Sequence, residues 1–333
     1  MSHAAPLPPP RLVHFASPVV RAARGLLSTK LNPPGASNAQ VLREAVWERI
    51  GQAAGARVVL VRAPAGFGKT TALLQARERF QERDISVGWL TLDAADNDPS
   101  RFLACLAQAI DAMTGDATAR AEAADVDASA GARFAQAVIE DLASQNRPFA
   151  LVLDDFECIH EPAVLGLVRQ IIDHLPRGGQ LLIGSRGLPS LGLGRLRARG
   201  QLLEIDADSL RFSLAETIEF LSARRHLLLP VEDLSRLHRK TEGWVAALWL
   251  ASVALERSEA RSEFVARFSG TDQGLGDYLA DDVLATGGTA RATVDLLRST
   301  GAEVAAVVCL LELEALAGRD VLADVPVVAL RAI

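Results

Sequence analysis

Val58-Val59-Leu60-Val61 runs into Ala63-Pro64-Ala65-Gly66-Phe67-Gly68-Lys69-Thr70-Thr71. Four β-branched or branched apolar residues in a row read as a strand buried on both faces, and the periodicity from Lys69 onward reads as a helix. Between them lies a glycine-rich turn. The pattern is that of the phosphate loop, G-x-x-x-x-G-K-[ST], with Ala63 in place of its first glycine. The physics survives this change. Gly66 and Gly68 let the backbone curl so that the N–H groups of Ala65, Gly66, Phe67 and Gly68 can point inward at an anion. The following helix, opened by Lys69, Thr70 and Thr71, presents its positive end to the same anion. Lys69 supplies a mobile charge for β and γ phosphates, and the Thr70 hydroxyl is a Mg²⁺ ligand. The alternative, a turn that merely joins strand to helix, does not account for a G-F-G-K-T-T string in this context.

Working outward, strands and helices alternate on both sides of the loop. Residues 40–54 carry apolar positions at three-to-four spacing and predict a helix. Further strands are expected at 87–92, 149–153, 180–185 and 202–205, with helices at 99–113, 132–144 and 161–174, and with 115–131 as a linker. This alternation predicts an α/β fold, a parallel sheet with helices on both faces. From about 212 the pattern becomes helical only, opened by the capping box Ser213-Leu214-Ala215-Glu216. Residues 276–333 return to strand, loop and helix. The expected organisation is a tail over 1–37, a core over 38–211, a helical lid over 212–275 and a small partial α/β segment over 276–333.

A phosphate loop needs an acid for its metal. Phe149-Ala150-Leu151-Val152-Leu153 ends in Asp154-Asp155, so a buried strand delivers carboxylates at its C-terminal end. Asp154 is assigned to Mg²⁺ together with Thr70, and Asp155 to polarising the attacking water. Gly184-Ser185-Arg186 ends another strand, placing Arg186 across the strand tips as a sensor of the γ-phosphate; a plain surface arginine is the alternative.

The 333 residues carry 35 basic and 41 acidic side chains, a formal charge of −6, which argues against a protein that coats nucleic acid. Three scattered cysteines, Cys105, Cys158 and Cys309, form neither a disulfide framework nor a metal cluster and fit a reducing cytoplasm. Apolar runs of about eight residues fall short of the roughly 20 that span a bilayer.

Five strings occur in order: the loop at 63–71, Trp89-Leu90-Thr91-Leu92-Asp93 with Asp96-Asn97-Asp98-Pro99, Leu151 to Asp155, Gly184-Ser185-Arg186, and Thr241-Glu242-Gly243-Trp244. Together, over roughly residues 30–282, they resemble the ATPase module of MalT-like, LuxR-type transcriptional regulators of the STAND class, a P-loop NTPase family. The resemblance implies a nucleotide-driven switch that binds ATP and ADP with Mg²⁺, turns over slowly, and self-associates or joins other regulator subunits. Trp244 belongs to the helical lid in that comparison, or to its core. Members of the family are usually longer. The sensor region and the DNA-binding helix-turn-helix have no counterpart in the residues left, so the expectation is a truncated or chimeric switch without its own DNA-binding domain.

A second string, Asp281-Asp282-Val283-Leu284-Ala285-Thr286-Gly287-Gly288-Thr289, resembles the phosphoribosyl-pyrophosphate loop of adenine phosphoribosyltransferase, a similarity that runs to the C-terminus. It implies ribose hydroxyls held by Asp281 and Asp282 and a 5′-phosphate held by Ala285, Thr286, Gly287, Gly288 and Thr289. No strand-forming apolar run precedes the acids, and the purine-binding half has no counterpart, so transferase activity is not expected. A gene fusion, a recombination product and an assembly error would each leave such a join near 281–285.

Overall fold

The computed structural model describes residues 30–33, 35, 40–53, 55–114 and 128–268, and beyond these 283–284, 294, 298, 304, 307–312, 322 and 324–332. The described residues fall into two compact units: one holds 30–35, 43–63 and 69–206, the other 40–42, the loop 64–68, and 207 onward.

The first unit is built on a five-stranded parallel sheet. Its elements are α1 (Glu44–Gln52), β1 (Val58–Arg62), α2 (Lys69–Gln81), β2 (Ser86–Thr91), α3 (Pro99–Thr114), α4 (Ala128–Ser144), β3 (Phe149–Asp154), α5 (Pro162–His174), β4 (Gly179–Ser185), α6 (Gly194–Ala198) and β5 (Leu202–Ile205). The strand order is β2-β3-β4-β1-β5, every neighbouring pair being parallel. Every residue of β3 and β4 is buried, and β1 is buried except at Arg62. Continuous apolar runs are what a sheet covered on both faces demands. The core joins Leu60, Leu151, Leu153 and Ile183 of the strands to Phe102, Leu106 and Ile110 of α3 and Val164, Val168 and Ile172 of α5. This is the parallel α/β sheet that the alternating pattern predicts.

Two helix boundaries differ from expectation. The helix expected over 40–54 spans Glu44–Gln52. Val41 has the right spacing, but its side chain is buried in the core of the second unit with Phe212, Phe220 and Leu221. Periodicity registers that a residue is buried and not in which core. The helix expected from 132 begins at Ala128, where alanine, the best helix former, extends it into the expected linker.

The second unit contains α7 (Ala207–Leu210), α8 (Leu214–Ile218), α9 (Val231–Thr241), α10 (Val245–Arg257) and α11 (Arg261–Arg267). Ser213 opens α8 with the expected capping box: its hydroxyl accepts from the Glu216 N–H, and the Glu216 carboxylate accepts from the Ser213 N–H. Helix α8 continues into a π-helical stretch, Glu219–Arg224. Glu242 and Gly243 both take left-handed backbone (φ 50° and 72°), which ends α9 and turns the chain into α10. Further on, β6 (Val283–Leu284), β7 (Val307–Glu312) and β8 (Val327–Ala332) form a separate parallel sheet in the order β6-β7-β8. Of the phosphoribosyl-pyrophosphate string, Asp281, Asp282, Ala285, Thr286, Gly287, Gly288 and Thr289 lie outside the described residues. Among the described residues no helix is long and apolar enough to cross a membrane.

Candidate phosphate and metal site

The C-terminal ends of β1, β3 and β4 and the first turn of α2 bring Lys69, Thr70, Asp154, Asp155 and Arg186 to one end of the first unit's sheet. Because β4 lies between β1 and β3, the Asp154 carboxylate must cross the tip of β4 to reach α2. Gly184 permits this. A methyl group placed there would overlap Asp154 Oδ1 and come within 2.8 Å of Leu73 Cδ1. Asp154 accepts a hydrogen bond from Thr70 Oγ1 through Oδ2 at 2.7 Å. Its other oxygen, Oδ1, is buried and has no hydrogen-bond partner among the described residues. A buried carboxylate oxygen without a donor is costly. A hard divalent cation, which takes carboxylate and hydroxyl oxygens, would satisfy it. Thr70 and Asp154 therefore fit Mg²⁺.

Lys69 is 8% exposed. Burial lowers the pKa of its amine, Arg186 lowers it further, and the negative charges of Glu157, Asp154 and Asp155 oppose that shift. Burial pushes the Asp154 carboxyl up, against the Thr70 hydrogen bond and the charge of Lys69. Asp155 is pushed up by burial and then by Asp154 and Glu157. Three carboxylates and two cations thus share the strand tips, an electrostatic arrangement suited to a cation and a polyphosphate arriving together.

Asp155 has left-handed backbone (φ 55°, ψ 38°), an uncommon conformation for a non-glycine residue. The surroundings hold it. The short 3₁₀ turn Phe156–Cys158 follows, with Phe156 buried. Asn97 buttresses that turn, donating to the Cys158 carbonyl (2.8 Å) and accepting from the N–H groups of His160 and Glu161 (2.9 Å each). The Asp93–Asp98 string is therefore a brace. Asp93 and Asp96 form a reciprocal capping box. Asp96, fully buried, pairs with Lys30 (2.5 Å) and Arg101 (3.2 Å), and Asp98 accepts from the Arg101 N–H. Glu157 was not singled out by sequence; the only signal for it is its place two residues beyond the acid pair.

The loop residues 64–68 pack within the second unit. Gly66 and Gly68 have φ of 74° and 82°, the left-handed values only glycine adopts freely, as their positions in the loop pattern predict. The Gly66 carbonyl accepts from the Ala246 N–H at 3.0 Å. The buried Phe67 ring stacks on Trp244 (centroids 6.0 Å, planes 30° apart), with the Arg211 guanidinium 5.5 Å from the Phe67 centroid. Trp244 is thus an aromatic partner of the loop. Ala65 and Thr71 are half-buried, Ala65 in the loop and Thr71 in the first turn of α2.

Residues 39–184 match the family described as the AAA ATPase domain. The matched span takes in the phosphate-loop string and the strand end at Asp154 and Asp155. Among curated proteins, the chain is similar to the HTH-type transcriptional regulator MalT of Klebsiella pneumoniae, 36% identical over 264 residues, and to that of Yersinia enterocolitica, at 35%. Each match covers 78% of this chain and 29% of the relative, so the chain spans less than a third of their length. Among solved structures, Aeropyrum pernix ORC1 bound to DNA aligns with a TM-score of 0.45 at 15% identity, over 76% of this chain and 69% of that one. Domain III of Thermotoga maritima DnaA aligns at 0.40 and 15%, over 71% and 96%.

Proposed function

We propose that this chain contains the ATP-binding switch module of a transcriptional regulator of the MalT-like, LuxR-type STAND kind. The observation that carries the reading is the Asp154 carboxylate. One of its oxygens is engaged by Thr70 and the other is buried without a donor among the described residues, with the charge of Lys69 acting on it. In this reading Ala65, Gly66, Phe67 and Gly68 turn their N–H groups to the phosphates, Lys69 neutralises the β and γ charges, and Thr70 and Asp154 hold Mg²⁺. Bound Mg²⁺ supplies charge neutralisation and a template for the phosphate oxygens. Asp155 orients and polarises water, and Arg186 contacts the γ-phosphate. Residues 38–211 act as the core and 212–275 as the responsive helical region. Trp244, stacked on Phe67, makes that region sensitive to whether the loop holds phosphates. ATP and ADP are the ligands, with self-association or binding to other regulator subunits as the readout.

ATP with Mg²⁺ is expected to raise the melting temperature. At about 100 times its dissociation constant a ligand stabilises the native state by about 2.7 kcal/mol. Lys69→Ala should remove most of that gain. Phosphate release should stay well below about 10 per second, the median for enzymes, because a switch dwells in its bound state. An equal thermal shift in wild type and Lys69→Ala would locate the site elsewhere.

A further inference from the structure

A third carboxylate, Glu157, stands at the strand tips beside Asp154 and Asp155. The left-handed turn at Asp155 reverses the chain, and the following 3₁₀ turn carries Glu157 back to the end of β4. There it engages Arg186 twice: Oε2 accepts from the Arg186 backbone N–H at 3.1 Å, and Oε1 forms an ion pair with Nε at 2.8 Å. This grip uses the inner edge of the guanidinium. Among the described residues neither Nη1 nor Nη2 of Arg186 donates a hydrogen bond. The turn bearing Glu157 is itself fastened by Asn97.

A carboxylate at this point has a cost. It raises the pKa of Asp155 and repels the phosphates that the site would hold. An exposed ion pair contributes little stability in return, and the Arg186 side chain is 49% exposed. What the double contact does supply is orientation: the backbone N–H holds the Glu157 carboxylate in place, and that carboxylate pairs with the Nε edge of the planar guanidinium. We propose that Glu157 is a positioning residue. It holds Arg186 edge-on so that the two free Nη groups meet the terminal phosphate of a nucleoside triphosphate, and it thereby sets the preference for triphosphate over diphosphate. The inference rests on the ATP-site reading above.

The test is the ratio of ADP to ATP dissociation constants, in Mg²⁺, for wild type, Glu157→Ala, Arg186→Ala and the double variant. Wild type should prefer ATP. Each single variant should lose roughly tenfold of that preference, the worth of a charge-assisted hydrogen bond. The double variant should lose no more than Arg186→Ala alone, because Glu157 favours the terminal phosphate only through Arg186. Glu157→Gln, similar in shape but with one acceptor oxygen for two donors, should show a smaller loss of the same sign, which keeps the test valid if the alanine variant folds poorly. A wild-type ratio in Glu157→Ala and Glu157→Gln, or losses that multiply in the double variant, overturns the positioning role while leaving the ATP site standing. Failure of wild type to bind either nucleotide overturns the ATP-site reading and this inference together.

Discussion

Gly184→Ala is expected to abolish Mg²⁺-dependent nucleotide binding and to lower stability at the same time. The added methyl would occupy the space of Asp154 Oδ1 and press on Leu73 Cδ1 at 2.8 Å. Every residue of β4 is buried, so the strand cannot lean away into solvent. The carboxylate is the group that must move. It would then lose the Thr70 hydrogen bond, and with it the geometry that pairs a hydroxyl and a carboxylate at one cation. Overpacking of this kind costs about 1–3 kcal/mol. The double variant Gly184→Ala/Asp154→Ala separates the two effects. Removing the carboxylate should restore most of the stability and none of the binding. If Gly184→Ala binds Mg²⁺ and ATP as wild type does, Asp154 does not hold the metal from across β4. Calorimetric titration and thermal denaturation of the same samples read both quantities.

The second large effect is expected at Gly243. Its φ of 72° costs a residue with a Cβ about 1–2 kcal/mol. A Cβ there would also overlap the Phe212 carbonyl oxygen and lie 3.0 Å from the Phe212 nitrogen. The backbones are tied at that point, the Phe212 N–H donating to the Gly243 carbonyl at 2.8 Å. Gly243→Ala should therefore destabilise the second unit by more than the conformational term alone, in all at least about 2 kcal/mol. Gly243→Asn, which tolerates left-handed backbone, should rescue little, because the clash is with main chain. Trp244 follows directly and opens α10, so the Phe67–Trp244 stack should loosen as well, and near-ultraviolet circular dichroism of the aromatic residues would report it. An alanine variant with an unchanged melting curve would show that the turn has room that the structure does not give it.

Much of this was legible in sequence. The strand at 58–61, the loop to Thr71 and the Asp154-Asp155 strand end are local strings whose chemistry follows from residue type and spacing, and the structure has β1, α2 and β3 there. What escaped depends on distant partners. Asp96 is buried at full depth with its charge met by Lys30, 66 residues earlier, and by Arg101. Gly184 reads as one more small residue until β4 is seen to lie between β1 and β3. Glu157 becomes a site residue through the left-handed backbone of Asp155, a conformation no propensity assigns to an aspartate in advance. Val41 has helical spacing and a different core.

The proposed function requires a Mg²⁺-dependent ATP site completed by Thr70 and Asp154. Calorimetric titration of ATP into the wild-type chain and into Asp154→Asn, each with Mg²⁺ and with a chelator, tests it most directly. Wild type should bind ATP at least about tenfold more tightly with Mg²⁺, a difference of about 1.4 kcal/mol, and in Asp154→Asn that difference should vanish. Equal affinity with and without Mg²⁺ in the wild-type chain, or an undiminished Mg²⁺ effect in Asp154→Asn, would contradict it.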